Sequence, residues 1–383
     1  MKPIRAFGMK FVLPKRPALA VSELDDLTTR AQREAGTVAL DALHIAPPRK
    51  FWTPLPKPVP GTLIEGTLPD DHHARFLLRI PKEWNGRLVV AAASGVTDEK
   101  TYDLYFSDFL LSRGYAFGAT DKGVRRAVLD GDTVLMPLIA EASISNWAGR
   151  LEALAVLAKS ELKSRRGRTP ERTYAVGLSN GGYVARRAAE SASGLFDGAL
   201  EISGVLWRAD TGNLLRELPR ALRGEPGVFP TAEGPWEPLA ALYKDLYWEA
   251  VLYMFIADLD PEFGGDIKGY DLDARPAAVR ERIRAFENTG DLKVPLVSIS
   301  GKRDYLIGSE GHAAAYREIV RARGKADLHR LILVDDASHI DTNNEAFPFV
   351  EPLMPRAHAE FEALVALVEG EPAATAPSSR RPR

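Results

Sequence analysis

The chain contains no cysteine among its 383 residues. This absence excludes a disulfide framework, a thiolate metal site and a cysteine nucleophile. Neither sign of charge is in excess, with 50 Lys and Arg against 52 Asp and Glu, so we expect neither nucleic acid nor a membrane surface as a partner. No stretch approaches the roughly 18 uncharged apolar residues of a transmembrane helix, which excludes such a helix.

Glutamine is nearly absent too, since Gln32 is the only one and asparagine occurs seven times. Few thermolabile residues beside plentiful Arg and Pro predict a thermostable protein, although a GC-rich genome biases composition in the same way. The N-terminus starts with basic residues, but Lys10, Pro14 and Lys15 interrupt its apolar run, which makes it a poor secretory signal. We therefore expect a cytoplasmic protein, with secretion after removal of a signal as the alternative.

The most informative stretch is Gly177-Leu178-Ser179-Asn180-Gly181, which lies between a short apolar run and a helix-compatible segment. The pattern G-x-S-x-G between a strand and a helix is typical of a nucleophile elbow, a strained turn that exposes the serine hydroxyl. Glycine is needed on both sides because a Cβ there would collide with the neighbouring strand or helix. We predict Ser179 as a nucleophile. The alternative is a serine in an ordinary glycine-rich turn.

A serine nucleophile needs a base and an acid that orients the base. Asp304 follows the predicted strand 296–300, and His339 follows the predicted strand 331–334. Serine, acid and histidine in this order, each beyond a strand, is the arrangement that this kind of site requires. We therefore predict the triad Ser179, Asp304 and His339. Asp335 and Asp336 are alternative acids, but they share the loop of the histidine.

The oxyanion of the reaction needs two donors, and we predict the N–H of Asn180 together with that of Gly95 or Val96 in the loop 91–96. Both registers of that loop stay open. The segment 121–123 follows another predicted strand, and its position alone suggests that it faces the site. The acidic loop 258–266 fails the calcium-loop template, because Phe263 stands where the template has glycine. We expect no metal and no cofactor.

The strand and helix patterns predict an α/β fold with a mostly parallel central sheet flanked by helices and a large helical lid insertion. Residues 1–60 are predicted as an N-terminal appendage, with a helix from Ser22 to about Ala35 and a proline-rich stretch that wraps the surface. Residues 61–203 and 293–369 are predicted to form the core, and 204–292, here called the lid segment, carries many aromatic residues. Residues 370–383 are predicted to be a disordered tail.

With this elbow and this order of partners, the chain resembles the α/β-hydrolase superfamily over about 61–368. The segments 114–123 and 177–182 look similar to hydroxybutyrate-oligomer hydrolases and to tannases and feruloyl esterases, although the disulfides of secreted tannases are missing. The resemblance implies a serine carboxylic-ester hydrolase with a small to medium ester substrate, such as an aromatic ester or a polyester oligomer. An amidase, peptidase or acyltransferase with the same triad is the alternative within catalysis, and a non-catalytic binding protein is the alternative outside it. The sequence leaves the oligomeric state open.

Overall fold

A computed structural model describes residues 19–69, 71–124, 127–129, 132–134 and 142–370. Its strands are β1 Leu19–Leu24, β2 Gly61–Leu68, β3 Asp71–Pro81, β4 Arg87–Ala92, β5 Ala116–Thr120, β6 Ala127–Leu129, β7 Asp132–Val134, β8 Arg172–Leu178, β9 Gly198–Ile202, β10 Leu296–Gly301 and β11 His329–Val334. Its helices are α1 Arg30–Ala35, α2 Leu40–Leu43, α3 Asp108–Leu111, α4 Trp147–Arg166, α5 Asn180–Glu190, α6 Leu214–Leu222, α7 Glu237–Tyr243, α8 Glu249–Leu259, α9 Ala277–Phe286, α10 Ala315–Ala322 and α11 Met354–Glu369.

Nine of the described strands form one sheet in the order β1-β2-β3-β5-β4-β8-β9-β10-β11. The run from β5 to β11 is parallel, whereas β1, β2 and β3 pair antiparallel at one side. The remaining pair, β6 and β7, is a separate hairpin. The loops after β4, β8, β10 and β11 all leave the carboxyl edge of the parallel strands, where open α/β sheets hold their ligands. The expected α/β-hydrolase fold is therefore confirmed.

Helix α5, which follows the elbow, is held on the sheet by a fully buried ion pair. Arg186 of α5 donates from Nη2 to Oε1 of Glu201 in β9 at 2.7 Å. The other carboxylate oxygen of Glu201 accepts the N–H of Gly204 at 2.8 Å. Because every charged atom named here has a partner, the pair is tolerated in the interior and fixes the helix relative to the neighbouring strand.

The N-terminal segment differs from the expectation, because the helix predicted from Ser22 is wrong over its first part. Residues Leu19–Leu24 form the exposed edge strand β1, which pairs with β2, and α1 begins only at Arg30. Between them the carboxylate of Asp26 accepts the N–H of Thr28 at 3.1 Å and the N–H of Val59 at 3.0 Å. Pairing along β2 thus outweighs the local capping signal, as tertiary context often does.

The rest of this segment runs along the core. The carboxylate of Asp108 in α3 accepts the N–H of Thr29 at 2.9 Å and pairs with Arg33. Trp52 packs on a small apolar cluster that includes Ala42 and Leu104, and Phe51 packs on the main core. Residues 1–18 and 371–383, which include nearly all of the predicted tail, lie outside the described part of the chain.

The lid segment 204–292 is fully described and contains α6, α7, α8 and α9 but no strand. Its helical character agrees with the expectation, while the division of the chain into core and lid stays a prediction. Among the described residues, no helix combines the length and the apolar character that crossing a membrane requires.

Candidate active site

Ser179 occupies the sharp turn between β8 and α5. Its φ of 58° and ψ of −120° are strained for a residue that carries a side chain. Two backbone hydrogen bonds hold the turn. The N–H of Ser179 donates to the Ile202 carbonyl at 2.9 Å, and the carbonyl of Ser179 accepts the N–H of Tyr183 at 3.0 Å. A Cβ at Gly177 would lie 2.1 Å from the Gly181 carbonyl oxygen, so only glycine fits there. The elbow predicted from the sequence therefore has the expected backbone geometry.

His339 and Asp304 are in direct contact. Nδ1 of His339 lies 2.7 Å from Oδ2 of Asp304, and both side chains are buried. Oδ1 of Asp304 accepts the N–H groups of Leu306 and Ile307, at 2.8 and 2.7 Å. Because both of its carboxylate oxygens accept hydrogen bonds, Asp304 is held in one orientation. It can therefore keep the ring proton of His339 on Nδ1, which leaves Nε2 free to accept a proton.

The acid loop and the histidine loop are joined through their backbones. The N–H of Arg303 donates to the Ala337 carbonyl at 3.0 Å, and a Cβ at Gly301 would lie 2.2 Å from the same oxygen. Beyond His339, the carboxylate of Asp341 accepts the N–H groups of Leu353 and Met354 at 2.8 Å each, and burial raises the pKa of Asp341 to about 7. These contacts position the histidine from both sides.

The loop after β4 carries the second predicted set of donors. Ser94, Gly95 and Val96 line the same cavity as Ser179, Asn180 and His339, so the structure brings the predicted site residues together around one space, with Asp304 behind the histidine. Gly95 has a φ of 45°. The Ser94 carbonyl accepts the Thr97 N–H at 3.2 Å, which closes the loop into a tight turn.

The cavity has a volume of about 300 Å³, and most of its wall is apolar. The lid segment contributes Leu214, Tyr243, Tyr247, Val251 and Met254 to the wall, and the acid loop contributes Leu306 and Ile307. Of the aromatic residues in the lid segment, only Tyr243 and Tyr247 are among the described lining residues. No aspartate, glutamate, lysine or arginine side chain occurs among the lining residues within the described part of the chain.

Three residues near the site were not assigned a role from the sequence. His44, from the N-terminal segment, lines the cavity. The hydroxyl of Tyr102 accepts the N–H of Leu178 at 2.8 Å, just before the nucleophile. Lys122, in the segment 121–123, lies against the loop after β4. For His44 and Tyr102 the sequence carries no local signal, because only the tertiary fold brings them to the site.

Three carboxylates of the acidic loop 258–266 form contacts within the protein. Asp258 accepts the N–H of Ile144 at 3.0 Å, and Asp260 pairs with Arg275 at 2.5 Å. Asp266 caps a short helical turn through the N–H of Lys268 at 3.1 Å. These contacts account for Asp258, Asp260 and Asp266 as structural groups.

The sheet and the strained turn at Ser179 place the protein in the α/β-hydrolase fold class. Within that class, residues 62–206 match the family model described as tannase and feruloyl esterase. This match indicates a carboxylic ester hydrolase, whose substrate is a small-molecule ester.

Two solved structures from Aspergillus oryzae share the fold. Feruloyl esterase B has a TM-score of 0.57 and 12% identity, and the alignment covers 85% of this chain and 81% of that one. A second esterase has a TM-score of 0.56 and 15% identity, with coverages of 93% and 88%. A comparison with curated protein sequences finds no match. At these identities the likeness shows the fold alone.

Proposed function

We propose that the protein is a serine carboxylic-ester hydrolase that works through an acyl-enzyme on Ser179. The observation that carries the proposal is that the strained Ser179 lines the same cavity as His339, whose Nδ1 lies 2.7 Å from Oδ2 of Asp304. Nucleophile, base and orienting acid are the minimal set for this chemistry.

In the first half of the reaction, Oγ of Ser179 attacks the ester carbonyl carbon and its proton passes to Nε2 of His339. The carbonyl electron pair moves to oxygen, and the N–H groups of Asn180 and of the loop at Gly95 and Val96 stabilise that oxyanion. Its collapse expels the alcohol, which takes the proton from His339. In the second half, water repeats the sequence on the acyl-enzyme and releases the acid.

The cavity indicates which acyl groups are accepted. The larger part of its wall comes from leucine, isoleucine, valine, methionine and tyrosine, and its volume of about 300 Å³ suits a small to medium group. A charged acyl group would lose its hydration there, and the described lining residues include no lysine, arginine, aspartate or glutamate to pair with it. We therefore propose uncharged, apolar acyl groups, aliphatic or aromatic.

Hydrolysis of p-nitrophenyl acetate, butyrate and octanoate and of methyl ferulate by the purified protein tests the proposal, with p-nitrobutyranilide as the matched amide. We expect turnover of the esters, a far slower reaction with the anilide, and one organophosphate adduct on the peptide that contains Ser179. Turnover of the anilide in preference to the butyrate ester would instead indicate an amidase. The absence of both turnover and adduct would favour a binding protein.

A larger side chain in the cavity wall is expected to change the preference for the length of the acyl chain. Val251 of α8 lines the cavity, so Val251→Trp should fill part of it and reduce the ratio of kcat/KM for octanoate to that for acetate by about tenfold or more. The control is Val156→Trp on α4, where the valine is 55% exposed. An equal loss for both esters, or an unchanged ratio, would mean that the acyl chain does not bind against α8.

A further inference from the structure

Lys122 is a buried lysine that has no carboxylate partner among the residues that the structure describes. Its side chain is fully buried, and Nζ donates to the carbonyls of Ala93 and, at 3.4 Å, Gly95. Nζ also lies 5.2 Å from the centre of the Trp147 ring. The adjacent carboxylate of Asp121 is paired with Arg75 instead, at 2.7 Å. Within the described part of the chain, the ammonium is thus satisfied by backbone carbonyls of the loop that lines the catalytic cavity.

Neither the backbone nor the environment favours a lysine at this position. Lys122 has a φ of 62°, in the left-handed region that most residues with a side chain avoid. Burial lowers the pKa of its ammonium to about 7, so keeping a proton there is costly. Strain of this kind persists where the surrounding structure requires it, and it concentrates at functional sites.

The turn that carries Lys122 is held rigidly. Oδ1 of Asp121 accepts the N–H groups of Arg75 and Gly123, each at 2.8 Å. The carbonyl of Lys122 accepts from Nη1 of Arg150 at 2.6 Å. A Cβ at Gly123 would lie 2.3 Å from the same guanidinium nitrogen. The lysine side chain is therefore presented from a fixed base.

The geometry of the peptide bond indicates how Lys122 orients the peptide between Gly95 and Val96. In a planar trans peptide the C=O and the following N–H point to opposite sides. Because the Gly95 carbonyl faces Nζ of Lys122 at 3.4 Å, the N–H of Val96 points away from Lys122. Val96 lines the cavity beside Ser179. A hydrogen-bond donor on the carbonyl also polarises the peptide and strengthens its N–H as a donor.

We propose that Lys122 is a positioning residue of the oxyanion hole, which holds the Gly95 carbonyl so that the N–H of Val96 faces the ester carbonyl oxygen. This inference rests on the proposed function and deepens it, since it selects Val96 over Gly95 as the second donor. Lys122 itself touches neither substrate nor nucleophile and acts through the loop.

The test is Lys122→Met, which keeps the length of the side chain and removes its charge and its donors. We expect kcat for p-nitrophenyl butyrate to fall about 10- to 100-fold, a reduction no larger than the one caused by removing an oxyanion donor itself. KM should change by less than about threefold. The midpoint of thermal unfolding should not fall, because an ammonium without a carboxylate partner leaves the interior. Lys159→Met is the matched control, since Nζ of Lys159 donates to the Leu195 carbonyl at 2.6 Å outside the site. It should leave kcat unchanged.

A transition-state analogue separates positioning from a general structural role. An alkyl trifluoromethyl ketone adds Oγ of Ser179 to its carbonyl carbon, passes the serine proton to His339 and leaves a hemiketal oxyanion in the donor site. Its inhibition constant should rise in proportion to the loss in kcat/KM, while the inhibition constant of the corresponding secondary alcohol, which forms no oxyanion, stays unchanged. Equal weakening of both inhibitors would assign Lys122 a structural role only.

The outcomes that overturn the inference differ from the one that refutes the proposed function. A folded Lys122→Met protein with kcat within about twofold of the wild type overturns it. If this variant does not fold, Lys122→Gln, which keeps one donor group, replaces it and is expected to lose kcat at constant KM; unchanged kcat there overturns the inference as well. A wild-type protein that hydrolyses no ester refutes the proposed function instead, so the two failures are distinguishable.

Discussion

Replacing Ser179 by alanine is expected to reduce kcat for ester hydrolysis by about 10⁴-fold or more. Without Oγ no acyl-enzyme forms, and the remaining groups can only assist direct attack by water. KM should change little, because the apolar wall that would bind the acyl group is left intact. The organophosphate adduct should disappear with the activity. The variant is expected to fold, although alanine retains the strain of the φ of 58°.

Ser203 provides a matched control for this experiment. It follows β9, is buried and has a φ of 46°, so it is another serine in a strained backbone near the elbow. Unlike Ser179, it does not line the cavity. Ser203→Ala should therefore keep kcat within a few-fold of the wild type. Comparable activity in the Ser179→Ala protein would show that a different group attacks the ester.

The parts of the site that the sequence predicts are those with a local signal. The elbow is recognisable because a strained turn between a strand and a helix restricts five consecutive positions, of which Gly177 tolerates no Cβ. Asp304 and His339 are recognisable because each follows an apolar strand by a few residues, and the carboxyl ends of parallel strands meet at one edge. Their contact at 2.7 Å follows from that shared edge.

The sequence carries no comparable signal for the residues that line the cavity. The lid segment contains many aromatic residues, and nothing in their spacing distinguishes Tyr243 and Tyr247, which line the cavity, from Trp207, which is buried in the core. Which face of a lid helix meets the sheet depends on how the helices pack, and that is decided by contacts far apart in the chain. His44 illustrates the same limit, because it reaches the site from a segment that precedes the elbow by more than a hundred residues.

The N-terminal strand shows how a local signal misleads. Ser22 to Asp25 matches a helix-capping pattern, yet the residues around them pair with β2, with Leu19 opposite Gly66 and Leu24 opposite Gly61. A capping box contributes about 1 kcal/mol, whereas pairing satisfies a whole row of backbone groups on β2. The larger, non-local term determines the structure.

Replacing Asp304 by asparagine is expected to lower kcat by about 10⁴-fold at neutral pH while KM changes by less than about threefold. Oδ1 of Asp304 accepts two backbone N–H groups, and an asparagine would keep its carbonyl oxygen there. Its NH₂ group would then face Nδ1 of His339, which would have to accept a hydrogen bond. The ring proton would move to Nε2, and that nitrogen could no longer take the proton of Ser179.

Asp335 provides the control for the acid. It lies on the histidine loop, where the sequence allowed an alternative acid, but its carboxylate is exposed and pairs with Lys302 at 2.6 Å. Asp335→Asn should therefore leave kcat within about twofold of the wild type, since an exposed ion pair contributes little. If Asp304→Asn kept most of the activity and Asp335→Asn lost it, the acid would belong to the histidine loop. The contact between Asp304 and His339 would then be structural.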